Sequence, residues 1–234
     1  MELQKRDCGI SMRLVPYGGG WTDVYADFGD GELYFIISNT MGRYGFQTLL
    51  RTLYYLYPDQ QDREDEFDLV EYKEAVYKYI DGEDVLIKIC DRSGDEDIPC
   101  GIRYVPWKAS FSWDEEGAGS QWFFERDPTL DTSFDLHIHI VVNREETKEY
   151  DYTVRYADLC YAVADVCTKA IKKHGFWGYH QATYTEDMNV RILLFLKAIA
   201  LGNTEARELT FYDEKGKGET SDFNKELELL LFDM

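Results

Sequence analysis

Phe134-Asp135-Leu136-His137-Ile138-His139-Ile140-Val141-Val142 is the stretch whose pattern is plainest in the chain. From Phe134 to Ile140 the even positions are apolar, while Asp135, His137 and His139 are polar. A period of two is what a β-strand needs to send one set of side chains to a core and the other to a solvated face. Upstream, Phe111-Ser112-Trp113 and Trp122-Phe123-Phe124 are separated by a polar stretch rich in Asp, Glu and Gly, and read as a hairpin. Val85-Leu86-Ile87-Lys88-Ile89 and Ile102-Arg103-Tyr104-Val105 read as paired strands joined by the polar loop Asp91 to Pro99. Trp21 to Ser38 reads as a further hairpin that turns at Asp27-Phe28-Gly29-Asp30-Gly31, after the punctuation of Gly18-Gly19-Gly20.

Two helical spacings interrupt the strands. Phe46, Leu49, Leu50, Leu53 and Tyr57 recur on one face before Pro58, with Ser38-Asn39-Thr40 offering capping oxygens. Leu69, Tyr72, Val76, Tyr79 and Ile80 give a weaker helical period that ends at Gly82. Past about Tyr150 the pattern changes. Leu159, Val163, Val166, Ala170 and Ile171 form a helical stripe from Tyr156 to His174, with lysines in the last turns and Gly175 placed as its C′ residue. A helix from Thr185 to Leu201 is apolar on nearly every side and ends at Gly202. A short strand near Leu209 to Tyr212 and an acidic helix from Asp222 to Phe232 follow. Strands cluster in the middle and helices at the end, which predicts an α+β fold, a mainly antiparallel sheet of central hairpins packed against C-terminal helices. No linker is evident, so residues 1–234 are expected to form a single domain, with lobes 1–150 and 151–234 as its natural subdivision.

Composition narrows the function classes. The 234 residues hold 25 Lys+Arg against 45 Asp+Glu, a formal net charge of −20. A surface this acidic repels phosphate backbones and anionic bilayers, so neither nucleic acid nor membrane is an expected partner. The first residues are charged, without the apolar stretch of a secretory signal. The longest apolar run, Val190 to Leu201, contains Arg191 and Lys197 and is shorter than a bilayer span. A cytoplasmic protein is the expectation. The five cysteines are scattered without a C-x-x-C pair and read as structural, although Cys90 and Cys100 flank a turn. P-loop, dinucleotide, nucleophile-elbow and H-E-x-x-H patterns are all absent from the sequence, and no cofactor is expected.

Three features carry candidate chemistry. His137 and His139, two apart on a strand, can both reach one divalent ion with Asp135 completing a facial set, the basis of a metal-dependent hydrolase or oxygenase. The alternative places them on the solvated face of an antiparallel strand. His174-Gly175-Phe176-Trp177-Gly178-Tyr179-His180 reads as a glycine-flanked aromatic loop. There Phe176 and Trp177 plug the core between helices, or Trp177 and Tyr179 stack on a ligand. The third feature is distributed. Asp62, Glu64, Asp65 and Glu66, then Asp95 and Glu96, then Asp114, Glu115 and Glu116 form acidic clusters, with Trp113 and Trp122 beside the last. Carboxylates that steer and aromatics that anchor suit recognition of a basic protein. The leading expectation is an acidic, non-enzymatic binding protein, of the kind an immunity or inhibitor protein is when it covers a basic toxin or nuclease.

Overall fold

The computed structural model describes residues 8–38, 45–57, 71–80, 83–91, 103–114, 118–126, 133–183, 188–202, 210–212, 219–221 and 223–234. The fold is α+β. Its contacts gather the chain into two units, one of Met1–Leu50, Trp113–Gly117 and Ala157–Met234, the other of Arg51–Ser112 and Ala118–Tyr156.

In the first unit, β1 (Ser11–Gly18), β2 (Trp21–Asp27) and β3 (Glu32–Ser38) form an antiparallel three-stranded sheet. The expected hairpin is β2–β3. Asp27 Oδ1 accepts the backbone N–H of Gly29 at 2.8 Å and of Gly31 at 3.2 Å. Both glycines sit at positive φ, 106° and 127°, where a Cβ would be strained. β1 was not expected. It is an edge strand with Pro16 at a register shift, so its sequence lacks clean alternation, and Gly19-Gly20 is a hairpin turn rather than a mere spacer. Phe35 and Phe46 flank the Trp113 ring at 5.9 and 6.0 Å, and the Trp113 indole N–H donates to the Gly45 carbonyl at 3.1 Å.

Helix α1 (Gln47–Leu56) matches the expected spacing, but its start lies well past Ser38, which closes β3; Asn39 and Thr40 lie outside the described residues. α2 (Tyr156–Thr183) buries Leu159, Val163 and Val166 as the stripe requires, together with Cys160 and Cys167, both free thiols. Gly175, at φ 67° and ψ 169°, breaks the helix as expected, yet the chain resumes helix to Thr183 instead of forming a loop. α3 (Val190–Ala200) starts later than Thr185: Asn189 is its N-cap, accepting the Ile192 N–H at 3.1 Å. It is buried along most of its length. α4 (Phe223–Leu231) sets Leu229 against Leu194 and Ala198 of α3. Buried Lys197 donates to the carbonyls of Leu230 (3.0 Å) and Phe232 (2.8 Å), satisfying the end of α4. Burial, seconded by repulsion from Lys172, lowers the Lys197 pKa from 10.5 to about 8, with Asp233 and Asp165 pulling the other way. The short hairpin β10 (Thr210–Tyr212) and β11 (Glu219–Ser221) completes the elements between α3 and α4.

The second unit carries a six-stranded sheet in the order β4 (Glu71–Ile80), β5 (Glu83–Asp91), β6 (Arg103–Asp114), β7 (Gly119–Arg126), β8 (Asp135–Asn143) and β9 (Thr147–Arg155). β4 replaces the helix expected over this stretch. Val76, Tyr77, Tyr79 and Ile80 favour strands, and β4 pairs antiparallel with β5 from Glu71 opposite Asp91 to Ile80 opposite Glu83. The expected β5–β6 pair is present but parallel, Ile87 opposite Arg103 through Asp91 opposite Lys108, so Cys90 is not carried into a simple hairpin. Cys100 lies outside the described residues. β8 alternates in burial over its whole length, as its sequence demands. Tyr156, at the end of this unit, stacks on Phe134 at 4.5 Å and donates its hydroxyl to the Leu53 carbonyl at 2.6 Å. Among the described residues no helix is long and apolar enough to cross a membrane.

Candidate functional site

The register of the second sheet builds a two-row array of side chains on one face. Phe123 of β7 lies opposite His139 of β8, which lies opposite Asp151 of β9. One step along, Glu125 lies opposite His137, which lies opposite Thr153. The alternation in β7 and β8 explains the arrangement: Trp122, Phe124, Leu136, Ile138 and Ile140 are buried on the inner face, so their neighbours point outward. Phe111, Trp122 and Phe124 stack on one another with centroids 5.7 to 6.2 Å apart, which fixes the strands beneath the array.

Each outward side chain is engaged by a neighbour. The His139 Nδ1–H donates to Asp151 Oδ1 at 2.8 Å, and His137 Nδ1 lies 2.9 Å from Thr153 Oγ1. The Phe123 and His139 rings stand side by side in this row, centroids 5.8 Å apart and planes inclined by 37°. Lys108 of β6 pairs with Glu125 at 2.9 Å. Together they line an open groove of about 560 Å³. Phe123 is 43% exposed within it, and the Asp151 side chain 81%. An aromatic face beside carboxylates is suited to holding a cation. No family model, curated protein or solved structure matches the chain.

The residues singled out from sequence fare differently. Asp135, His137 and His139 do share the outer face of β8. Asp135 and His139, however, stand about 13 Å apart along the strand at ~3.3 Å per residue, too far to grip one ion together. Among the described residues no group of three or more His, Cys, Asp or Glu is placed to hold a metal. The facial set is therefore corrected to a solvated row whose imidazoles are tied to β9. Trp113 and Trp122 are corrected as well. At 2% and 0% exposure they are core residues, the Trp122 indole donating to Ser120 Oγ at 3.1 Å, and they present no ring to a partner. Asp114 ends β6, while Asp62, Glu64, Asp65, Glu66, Asp95, Glu96, Glu115 and Glu116 lie outside the described residues.

The aromatic segment after Gly175 is helical, and its sides are reversed from the core-plug reading. Trp177 is 76% exposed and Phe176 is exposed, whereas Tyr179 is buried. Sequence reasoning passed over Glu125, Asp151 and Thr153. The signal for Asp151 and Thr153 was available in β9, where Tyr150, Tyr152 and Val154 alternate with Asp151, Thr153 and Arg155, and that for Glu125 in β7, where Trp122 and Phe124 alternate with Phe123 and Glu125.

Proposed function

We propose that this chain is a cytoplasmic, non-enzymatic binding protein that engages a basic protein partner, as an immunity or inhibitor protein does when it covers the positive cleft of a toxin or nuclease. The observation that carries this reading is the outer-face groove, where exposed Phe123 sits among Glu125, Asp151 and two imidazoles on a sheet braced from below. A rigid sheet supplies a preorganised surface, so little ordering cost is incurred on docking. The net charge of −20 supplies long-range attraction for a cationic partner and disfavours self-association.

Binding to purified cationic candidates, starting with the product of the neighbouring gene, tests the proposal. The expected result is an affinity that falls at least tenfold between about 50 mM and about 500 mM salt and falls again in Glu125→Gln with Asp151→Asn. Binding that is indifferent to both salt and these two substitutions overturns it.

A further inference from the structure

We infer that the groove on β7–β9 reads an arginine side chain of the partner, its guanidinium lying on the Phe123–His139 pair and directed at the Asp151 carboxylate. This deepens the reading just given and rests on it. Three features of the row select arginine over other cations. First, Phe123 and His139 offer two neighbouring ring faces, inclined by 37° at 5.8 Å. A planar, weakly hydrated guanidinium stacks on such faces, whereas a compact ammonium keeps its water.

Second, Asp151 stands at the end of the same row, and its Oδ1 is oriented by the His139 N–H at 2.8 Å. An oriented carboxylate with about four lone-pair sites can accept a forked donor while keeping that bond. Third, the rows are asymmetric. Glu125 in the second row is already paired with Lys108 at 2.9 Å, so Asp151 is the carboxylate of the array that no Lys or Arg engages among the described residues. Lys108, in turn, guards that row against a second cation by like-charge repulsion. A guanidinium entering from solvent therefore meets an aromatic floor and one oriented anion, spaced within the reach of one side chain.

Titration of the whole protein with three short peptides, identical except for a central arginine, lysine or citrulline, tests this. The readout is the histidine ring signals of His137 and His139 by NMR. The arginine peptide is expected to move the His139 signal and to bind about tenfold more tightly than the other two. Asp151→Asn is expected to abolish the preference over citrulline, and Phe123→Leu to reduce the preference over lysine. Both side chains lie on the solvated face, and unchanged His137 signals in the free variants verify that the sheet is intact. Equal binding of arginine and lysine at the groove overturns the arginine assignment while leaving a basic partner standing. Equal binding of arginine and citrulline overturns both. Arginine-peptide binding that leaves the His139 signal unmoved overturns the inference alone.

Discussion

Raising the pH from about 7 to about 10.5 is expected to stabilise the protein relative to its Lys197→Met variant. Lys197 is buried, and loss of hydration together with the nearby Lys172 lowers its pKa from 10.5 to about 8. The unfolded chain keeps the proton up to its ordinary range, while the folded chain releases it near 8. Between those limits the unfolded state binds more protons, so stability rises with pH. The cost of holding a buried ammonium is thus fully present at pH 7 and is relieved through the interval, a gain of about 3 kcal/mol at most. The two hydrogen bonds to Leu230 and Phe232 need not be lost on the way, because a neutral amine still has two N–H groups to donate.

Methionine is likewise unbranched, one atom shorter, and has nothing to titrate. Only ionisations that do not interact with Lys197 cancel in the difference. Urea denaturation at several pH values, with the unfolding free energies of the two proteins subtracted, measures the effect. At neutral pH the variant gains by removing a buried charge and loses the hydrogen bonds to the Leu230 and Phe232 carbonyls, so the absolute offset is uninformative. The slope is what matters. A difference that is flat to within about 0.5 kcal/mol, or that shrinks with pH, refutes the reasoning and makes the lysine a solvated one.

Four further substitutions have magnitudes set by burial. Trp122→Ala removes a fully buried ring stacked on Phe111 and Phe124, and is expected to lower unfolding free energy by about 3–5 kcal/mol in chemical denaturation. Tyr156→Phe leaves the Leu53 carbonyl without its hydroxyl donor and is expected to cost about 1–2 kcal/mol, visible as a lower Tm. Asn189→Ala removes the N-cap of α3 at a cost of about 1 kcal/mol by the same measurement. Asp151→Ala is expected to change stability by no more than about 0.5 kcal/mol, because its pair with His139 stands in water; a larger loss would show that the array braces the sheet instead of serving a ligand.

The elements best read from sequence were those with one face in the core. β8 and α3 announced themselves because a strict period of two and a nearly continuous apolar helix each have a single structural solution. The strands that the sequence does not announce, β1, β9 and β11, lie at sheet edges, where positions tolerate lysine, glutamate and proline and the alternation fades. β4 was lost for a different reason. Tyr72, Val76, Tyr79 and Ile80 happen to satisfy helical spacing, and spacing outweighed the strand preference of the same residues. The parallel run of β5 beside β6 was out of reach, since nothing local distinguishes a parallel neighbour from an antiparallel one.

The site was half visible for a related reason. Local alternation put His137 and His139 on the outer face of β8, and that is where they are. What they do there is decided by register, a property of three strands at once. Register sets Asp151 opposite His139 and Thr153 opposite His137, and so turns a metal motif into two side chains held by β9. It also sets Phe123 opposite His139, which gives the row an aromatic floor. A slip of one residue in the β8–β9 pairing would carry Asp151 to the other face and replace it with a tyrosine. The buried ladder of Trp122, Phe124, Ile138 and Ile140 resists that slip, because it would bring the polar set inward. The core that fixes the strands is therefore also what fixes the spacing between the ring faces and the carboxylate, and a ligand for the groove is recognised only as well as that register holds.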